Sequence, residues 1–326
     1  MKALTFNPVT DTFSIRDLPI PVPGPGDVCV KVAACGLNPV DAKIKRWKTM
    51  APDMDADWTP GLDVSGEIVK VGARVANWKV GDRVLYHGNM LRPHGGLAEY
   101  AIHKAETLIP HPPVSSALAA ATPCAAWTAW RALHHKLRLE PGHSILITGG
   151  SGGVGGFAIQ LARDLGAEPI ITTCSAKNHA YVLSLGATHA IDYRTENVVA
   201  RVREITGGKG VDRALDTVGP DEDLLVAEAL GFEGEMVEIV DVVRPEKYRE
   251  VFLRGLSFHQ LSLGAGHRAG MEAEARMVRA GTACSEMLAE GRLTVPVLRM
   301  IPLEEAGARL VEILQGRSVG KTVVVF

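Results

Sequence analysis

Several things are missing from this sequence, and each absence narrows what it does. Neither sign of charge is in excess, since 35 Lys and Arg face 37 Asp and Glu for a net charge of -2. No sustained basic field is therefore available to recruit nucleic acid, and no nucleic-acid partner is expected. No stretch approaches the roughly 20 apolar residues of a membrane span. The opening MKALTFNPVT has no apolar run of signal-peptide length, so a cytoplasmic location without a membrane partner is the expectation. The five cysteines, Cys29, Cys35, Cys124, Cys174 and Cys284, are odd in number and contain no CxxC pair, which speaks against a disulfide framework or a cysteine-rich metal knot. Reduced, mostly buried thiols fit best. Aromatics make up only 5% of the chain and no internal repeat is present, so a repeat array is excluded as well.

What is there is glycine, 34 residues of it, in a chain of 326, long enough for two domains with separate cores. Residues 1–120 read as short strands between Pro and Gly breaks: Val28–Val32 after PIPVPGPGD, Glu67–Val71, and Arg83–Tyr86 after Gly81-Asp82. The alanine-rich stretch Ser115–Leu133 predicts helix, kinked or divided at Pro123. From Ser144 apolar runs alternate with helical patterns: Ile145–Thr148, a helix from Gly153, Pro169–Thr173, a helix from Lys177, then strands at Ala190-Ile191, Ala214–Thr217, Met236–Val240 and Leu256–Leu261. That alternation predicts an α/β, doubly wound parallel sheet. The tail Lys321–Phe326 returns to β propensity and is expected to rejoin the first domain.

The sharpest motif is Thr148-Gly149-Gly150-Ser151-Gly152-Gly153-Val154-Gly155-Gly156, which holds G-x-G-x-x-G as Gly150, Gly152 and Gly155 between a strand and a helix. Val154, Phe157, Ala158, Leu161 and Leu165 recur at helical spacing, so one face is expected on the sheet. The free N–H groups of the helix amino terminus then meet a pyrophosphate. Gly152 and Gly153, without Cβ, let phosphate approach the backbone, and Gly155 lets helix and strand pack closely. A site for NAD usually carries Asp or Glu about 20 residues on, to accept from the ribose 2′-hydroxyl. Here the second strand ends Thr173-Cys174-Ser175-Ala176-Lys177. Ser175 can donate to a 2′-phosphate and Lys177 brings positive charge, which favours NADPH. The bland alternative is that Ser175 caps the next helix while Lys177 is merely solvated.

Together with this turn, Ala34-Cys35-Gly36-Leu37-Asn38-Pro39-Val40-Asp41, Pro60–Gly66, Val80–Val84, Gly95–Tyr100 and Trp127–Trp130 make the chain resemble the medium-chain dehydrogenase/reductase superfamily nearly end to end. Within it the resemblance is to the zinc-free, zeta-crystallin-like quinone oxidoreductase branch. It implies a β-rich, GroES-like catalytic domain at 1–121 and 266–326, a Rossmann NADPH-binding domain inserted at 122–265, and a cleft between them for the nicotinamide. Carried over by position, Asn38 and Thr128 would lie beside the nicotinamide. Gly152, Gly153 and Val154 would hold the pyrophosphate, Ser175, Lys177 and Tyr193 the 2′-phosphate, and Thr217, Val218 and Gly219 would line the cofactor cleft. Tyr193 has a second reading, as an aromatic closing the end of a strand. Members are usually dimers or tetramers, and the apolar Leu256–Leu263 stretch offers an edge for pairing.

Zinc-bearing members use a Cys, a His in Gly-His-Glu and a second Cys. At those places stand Asn38, Gly61-Leu62-Asp63 and Cys124, and the four-cysteine lobe is replaced by the short stretch His87–His94. One soft ligand does not hold zinc, so no metal is expected. His87 and His94 read as surface or cleft histidines satisfied by solvent. Without a Lewis acid, simple alcohols are poor substrates. Hydride delivery to a small quinone or an α,β-unsaturated carbonyl is what remains. Asn38 and Tyr86 are the expected donors to the developing enolate oxygen, with Asp41 orienting neighbours or, alternatively, acting as base. Two other readings stay open: an alcohol dehydrogenase with a divergent metal site, and a non-catalytic NADPH-binding protein.

Overall fold

The chain, described here from a computed structural model over residues 1–316 and 318–326, begins with strand β1 (Lys2–Asn7) folding back on β2 (Thr12–Asp17). In the intervening turn the Asn7 side chain accepts from the Val9 and Thr10 N–H groups and Asp11 adopts φ +58°, as short polar side chains allow. The Pro/Gly run ends at β3 (Asp27–Leu37), which is twice as long as the apolar alternation suggested. One edge of β3 pairs with two strands in turn: its first half with β6 (Tyr100–Lys104), its second with the chain's last strand. Irregularities at Cys29/Val30 and Val32/Ala34 accommodate the change. On its other edge lie β4 (Asp63–Val71), β5 (Arg83–His87) and β7 (Ile109–Pro110). The short helix α1 (Pro39–Ala42) follows β3 directly. Val28, Val30, Ile68, Val84 and Leu97 pack as the barrel-like interior.

The alanine-rich stretch is divided as expected, into α2 (Ser116–Ala120) and α3 (Pro123–Trp130) with a wider π turn at Arg131–Lys136. Pro123 opens α3, where its missing N–H leaves no helical bond unmade.

The next segment alternates strictly: β8 (Ile145–Ile147), α4 (Gly153–Asp164), β9 (Ile170–Thr173), α5 (His179–Leu185), β10 (His189–Ile191), α6 (Val198–Ile205), β11 (Val211–Asp216), α7 (Glu222–Ala229), β12 (Leu230–Glu238), α8 (Val251–Arg254) and β13 (Ser257–Gln260). All six strands are parallel, in the order β10-β9-β8-β11-β12-β13. The chain therefore winds outward twice from the middle, and the order reverses between β8 and β11, where a doubly wound sheet opens a crevice at its carboxyl edge. Residues 155–162 of α4 are all buried, which corrects the single apolar stripe read from the sequence. The helix is covered by β8 and β9 on one side and by α5 and the π turn on the other.

After β13 the chain returns through α9 (Met271–Ala289), β14 (Leu298–Ile301), α10 (Ala306–Leu314) and β15 (Lys321–Val325), the last strand of the β3 sheet. Packing of α9 depends on Gly281, where a Cβ would sit 2.6 Å from the Trp127 ring. Two units result: Met1–Trp127 with Leu263–Phe326, and Thr128–Ser262. The fold is thus a β domain interrupted by a doubly wound parallel sheet. Among the described residues no helix is long and apolar enough to cross a membrane.

Candidate functional site

In the Rossmann unit the glycine turn leaves β8 and enters α4 with Gly152 extended at its amino cap. The turn is seated on its neighbours by backbone bonds: Gly150 N donates to Thr173 O, Gly149 N to the Thr173 hydroxyl at 3.1 Å, and Thr148 N to Leu215 O. Two glycines have no alternative. A Cβ on Gly150 would lie 2.0 Å from the Thr172 hydroxyl, which is held by the Ile147 carbonyl at 2.7 Å, and a Cβ on Gly155 would lie 2.4 Å from Gly149 O. Gly155 thus packs against the turn itself. No side chain caps α4, so its first N–H groups have no side-chain acceptor, the arrangement an anion seeks.

The crevice beside β8 is fixed by a second set of bonds. Thr148 Oγ1 donates to Asp216 Oδ1 at 2.8 Å, and Thr217 returns both its N–H and its hydroxyl to Thr148, at 3.1 and 2.7 Å. Val218 N caps Asp216 Oδ1 at 2.8 Å, and Gly219 takes φ +106°. Thr217, Val218 and Gly219 are brought to the carboxyl edge next to the glycine turn. Thr128 lies within α3, buried.

Ser175 and Tyr193 each stand two residues past the paired Thr173 and Ile191, at the same end of β9 and β10. The Ser175 side chain caps no helix N–H, which removes the bland alternative for that residue. Lys177 is exposed and Tyr193 is half exposed, with the Arg194 guanidinium 5.6 Å from its ring centre. Two carboxylates stand nearby and both are occupied: Asp192 accepts from Arg194 N and Ala176 N at 3.1 Å each, which hold its carboxyl below the usual range, and Glu196 Oε1 accepts from Asp192 N at 2.8 Å. Arg194 escaped the sequence reading, although its place beside Tyr193 at a strand end was the available signal.

In the β unit, Asn38 is the hub of a buried network. Its Nδ2 donates to Asp63 Oδ2 at 2.9 Å and, at longer range, to Asp41 Oδ2 and Gly36 O at 3.3 and 3.4 Å. Its Oδ1 accepts a short bond from Lys321 Nζ, which also lies 3.8 Å from Asp63 Oδ2. Asp63 Oδ1 takes Cys124 N at 2.9 Å, capping the start of α3. Asp41 Oδ2 accepts from Asn38 N at 2.9 Å, so Asp41 is a structural carboxylate that caps α1. Burial, and for Asp41 the neighbouring Asp63, push the two carboxyls up, to about 7 for Asp41 and about 6 for Asp63. Asn38 is only 1% exposed. With both N–H groups and its oxygen engaged it has no free donor for a substrate oxygen, and that expectation is corrected. Lys321 was missed; a lysine opening an apolar strand was the signal.

Tyr86 is turned into the barrel instead. Its ring stacks on His103 at 4.1 Å, its hydroxyl has no partner, and burial raises it well above its ordinary value. No hydrogen bond among the described residues joins Tyr86 to Asn38 or Asp41, so the expected trio is not assembled. His87 is buried against His267 rather than solvated, which also corrects the sequence reading, and burial pushes it down to about 3. Four cysteines are buried and Cys124 is half-buried, all of them free.

These positions do not suit zinc. Asn38 is committed, Leu62 is a buried apolar side chain, burial holds the Cys124 thiol well above its usual value, and the Lys321 ammonium already sits beside Asp63. No group of three or more His, Cys, Asp or Glu among the described residues is arranged to hold a metal ion.

Residues 24–113 match the alcohol dehydrogenase GroES-like domain family, and residues 153–277 match a family described as zinc-binding dehydrogenase. A quinone oxidoreductase of Sus scrofa is 31% identical over 319 residues, spanning 94% of this chain and 92% of its own. Among solved structures, Escherichia coli quinone oxidoreductase complexed with NADPH superposes with a TM-score of 0.87 at 25% identity, each chain covered in full (100%). CurK enoyl reductase superposes at 0.85 with 26% identity over 99% of this chain and 98% of its own. With the interrupted β domain, the glycine turn and these likenesses in place, the chain belongs to the medium-chain dehydrogenase/reductase superfamily, alongside its quinone oxidoreductases.

Proposed function

We propose that this protein is an NADPH-dependent oxidoreductase that delivers hydride to a small quinone or α,β-unsaturated carbonyl without a metal. The observation that carries it is the uncapped amino end of α4 beside strand ends bearing Ser175, Lys177, Tyr193 and Arg194, where the nearby carboxylates of Asp192 and Glu196 are already tied to backbone N–H groups. On this reading the N–H groups of Gly152, Gly153 and Val154 hold the pyrophosphate. Ser175 and Lys177 hold the 2′-phosphate, with Tyr193 and Arg194 flanking it. Thr217, Val218 and Gly219 line the cofactor's path, and Thr128 lies against the nicotinamide.

The bound cofactor supplies the hydride. An acceptor of this class carries its own activation, so the chain's part is to hold donor and acceptor at attack distance and to exclude water. Asn38, Lys321, Asp63 and Asp41 act as the rigid floor of the β unit rather than as donors, and solvent protonates the reduced product. Support for quinone and enone acceptors comes from the quinone oxidoreductase and enoyl reductase likenesses. A second copy of the chain is the proposed partner: β13 ends the sheet, and Phe252 and Leu253 beside it are exposed.

The test is NADPH and NADH titration followed by turnover with 9,10-phenanthrenequinone and a simple enone, after exhaustive chelation. Turnover with NADPH preferred is expected. Tight NADPH binding without turnover on any acceptor indicates a binder, and loss of activity on chelation indicates a metal enzyme.

A further inference from the structure

At the carboxyl edge of the sheet, Asp216 ends β11 and Glu238 ends β12, and the two are register partners. Both are essentially inaccessible, at 0% and 1% exposure. Each uses one oxygen in the same way. Asp216 Oδ1 accepts from Val218 N and the Thr148 hydroxyl, while Glu238 Oε1 accepts from Val240 N at 2.6 Å and Asp241 N at 2.9 Å. The other oxygens, Asp216 Oδ2 and Glu238 Oε2, receive no N–H or O–H from any other group. As register partners with nothing else to serve these buried oxygens, the two carboxyl groups can satisfy them only through a hydrogen bond to each other. Two acceptors make such a bond only when one of them carries a proton.

We propose that Glu238 is a positioning residue whose proton, shared with Asp216, clasps the loop Thr217–Gly219 to the Val240-Asp241 turn and so shapes the nucleotide crevice. The inference rests on the nucleotide reading above only for its effect on binding. The clasp itself is a property of the fold. The loops it joins touch: a Cβ on Gly219 would lie 2.6 Å from Val240 Cγ1. Through Thr148 the same chain of bonds reaches the glycine turn, so β8, β11 and β12 are tied at one edge.

Among the described residues no uncommitted cation lines this place to take the proton's part. Facing Glu238 are Asp216 from β11, Glu222 at the start of α7, Asp241 in its own turn, and Gln260 opposite it on β13. Asp221, Asp223 and Arg244 border the small space beyond. Arg244 is the one cation among the described residues there, and it is committed to Asp221 at 2.7 Å and to both oxygens of Asp223. Burial first, and then Asp216, push the Glu238 carboxyl up to about 8. Its proton is therefore held through neutral pH and released in mild alkali, leaving two facing carboxylates that repel each other.

The sign follows from proton counting. A carboxyl raised above its ordinary value adds stability that is complete in acid and fades as pH rises through the raised value. Two measurements between pH 7 and pH 9.5 test the clasp. Wild-type NADPH affinity is expected to fall roughly tenfold by one pH unit above the titration, and the melting temperature of nucleotide-free protein to fall over the same range. Glu238→Gln keeps the acceptor for Val240 and Asp241 and gives Asp216 a permanent N–H, so both pH dependences are expected to flatten to within twofold and to within the melting error. Asp216→Asn, which supplies the N–H from the other side, is expected to do the same. If wild type and both variants change in parallel with pH, the clasp is overturned. If the melting difference appears but no variant binds nucleotide at any pH, the clasp stands and the nucleotide reading falls.

Discussion

Replacing Lys321 by Met removes one charge from the most deeply buried polar cluster of the β unit while keeping nearly the same volume. Lys321 is 4% exposed and is the cation beside Asp63 and Asp41. Stripping one partner from a buried ionic cluster costs about 3–5 kcal/mol, because the remaining charge is left uncompensated. At about 2–4 °C per kcal/mol for a unit of this size, the melting temperature of the β unit should drop by about 6–20 °C near pH 8. The cost is not the same at every pH. Burial already raises Asp63 to about 6 and Asp41 to about 7, and Lys321 holds both below where burial alone would put them. Carboxyls raised in the fold give stability that is complete below their ordinary range and is lost as pH rises through the raised values. Without the ammonium the values climb further, so that loss extends to higher pH.

Near pH 5 both carboxyls are protonated in either protein, and the wild-type ammonium is then the group without a counter-charge. The penalty of the substitution should fall there to about zero. Guanidinium unfolding at pH 5 and pH 8, read by the fluorescence of the buried Trp47 and Trp58, measures the difference. A double cycle with Asp63→Asn adds a check: the two substitutions should be non-additive by at least about 1 kcal/mol at pH 8, as expected of groups in contact. A penalty equal at both pH values would mean that Lys321 matters for its alkyl chain alone, and the electrostatic account of the Asn38 network would fail.

Three further outcomes are expected. Lys177→Ala should weaken NADPH binding about tenfold and leave NADH within twofold, since an exposed ammonium contributes a solvent-screened contact that only the 2′-phosphate uses; equal losses in isothermal titration would refute the assignment. Tyr86→Phe removes a buried hydroxyl that has no partner and should stabilise the protein by about 1 kcal/mol in urea unfolding with turnover within twofold of wild type; a loss of kcat above tenfold would restore Tyr86 as a catalytic donor. Gly155→Ala places a methyl 2.4 Å from Gly149 O and should abolish NADPH binding in a fluorescence titration while the β unit keeps its own melting transition; unimpaired binding would mean that the turn does not hold the phosphate.

What was legible in the sequence was what local physics decides. The parallel sheet announced itself because its central strands, Ile145–Ile147 and Ile170–Thr173, are buried runs set between a turn and a helix, and the glycine turn because Gly150 and Gly155 are forced by backbone and hydroxyl atoms less than 3 Å away. The place of Ser175 and Lys177 in the fold was legible for a related reason, as it follows from counting past the end of β9. What could not be read were partnerships across long separations. Asn38 was taken for a free donor, and only the return of β15 along β3, 283 residues later, brings Lys321 to its oxygen and closes off its amide. Tyr86 looked like a polar group at a strand end, but strand register decides which face it takes, and the register put it against His103 inside the barrel. Glu238 was hidden for the opposite reason. It lies in a run, Met236–Val240, whose apolar neighbours marked a strand and gave no hint that its one acidic member ends level with Asp216. A charge within an apolar strand is costly unless a partner waits at the same level of the sheet. Lys321 meets such a partner in Asp63, while Glu238, level with Asp216, keeps its proton instead of a charge.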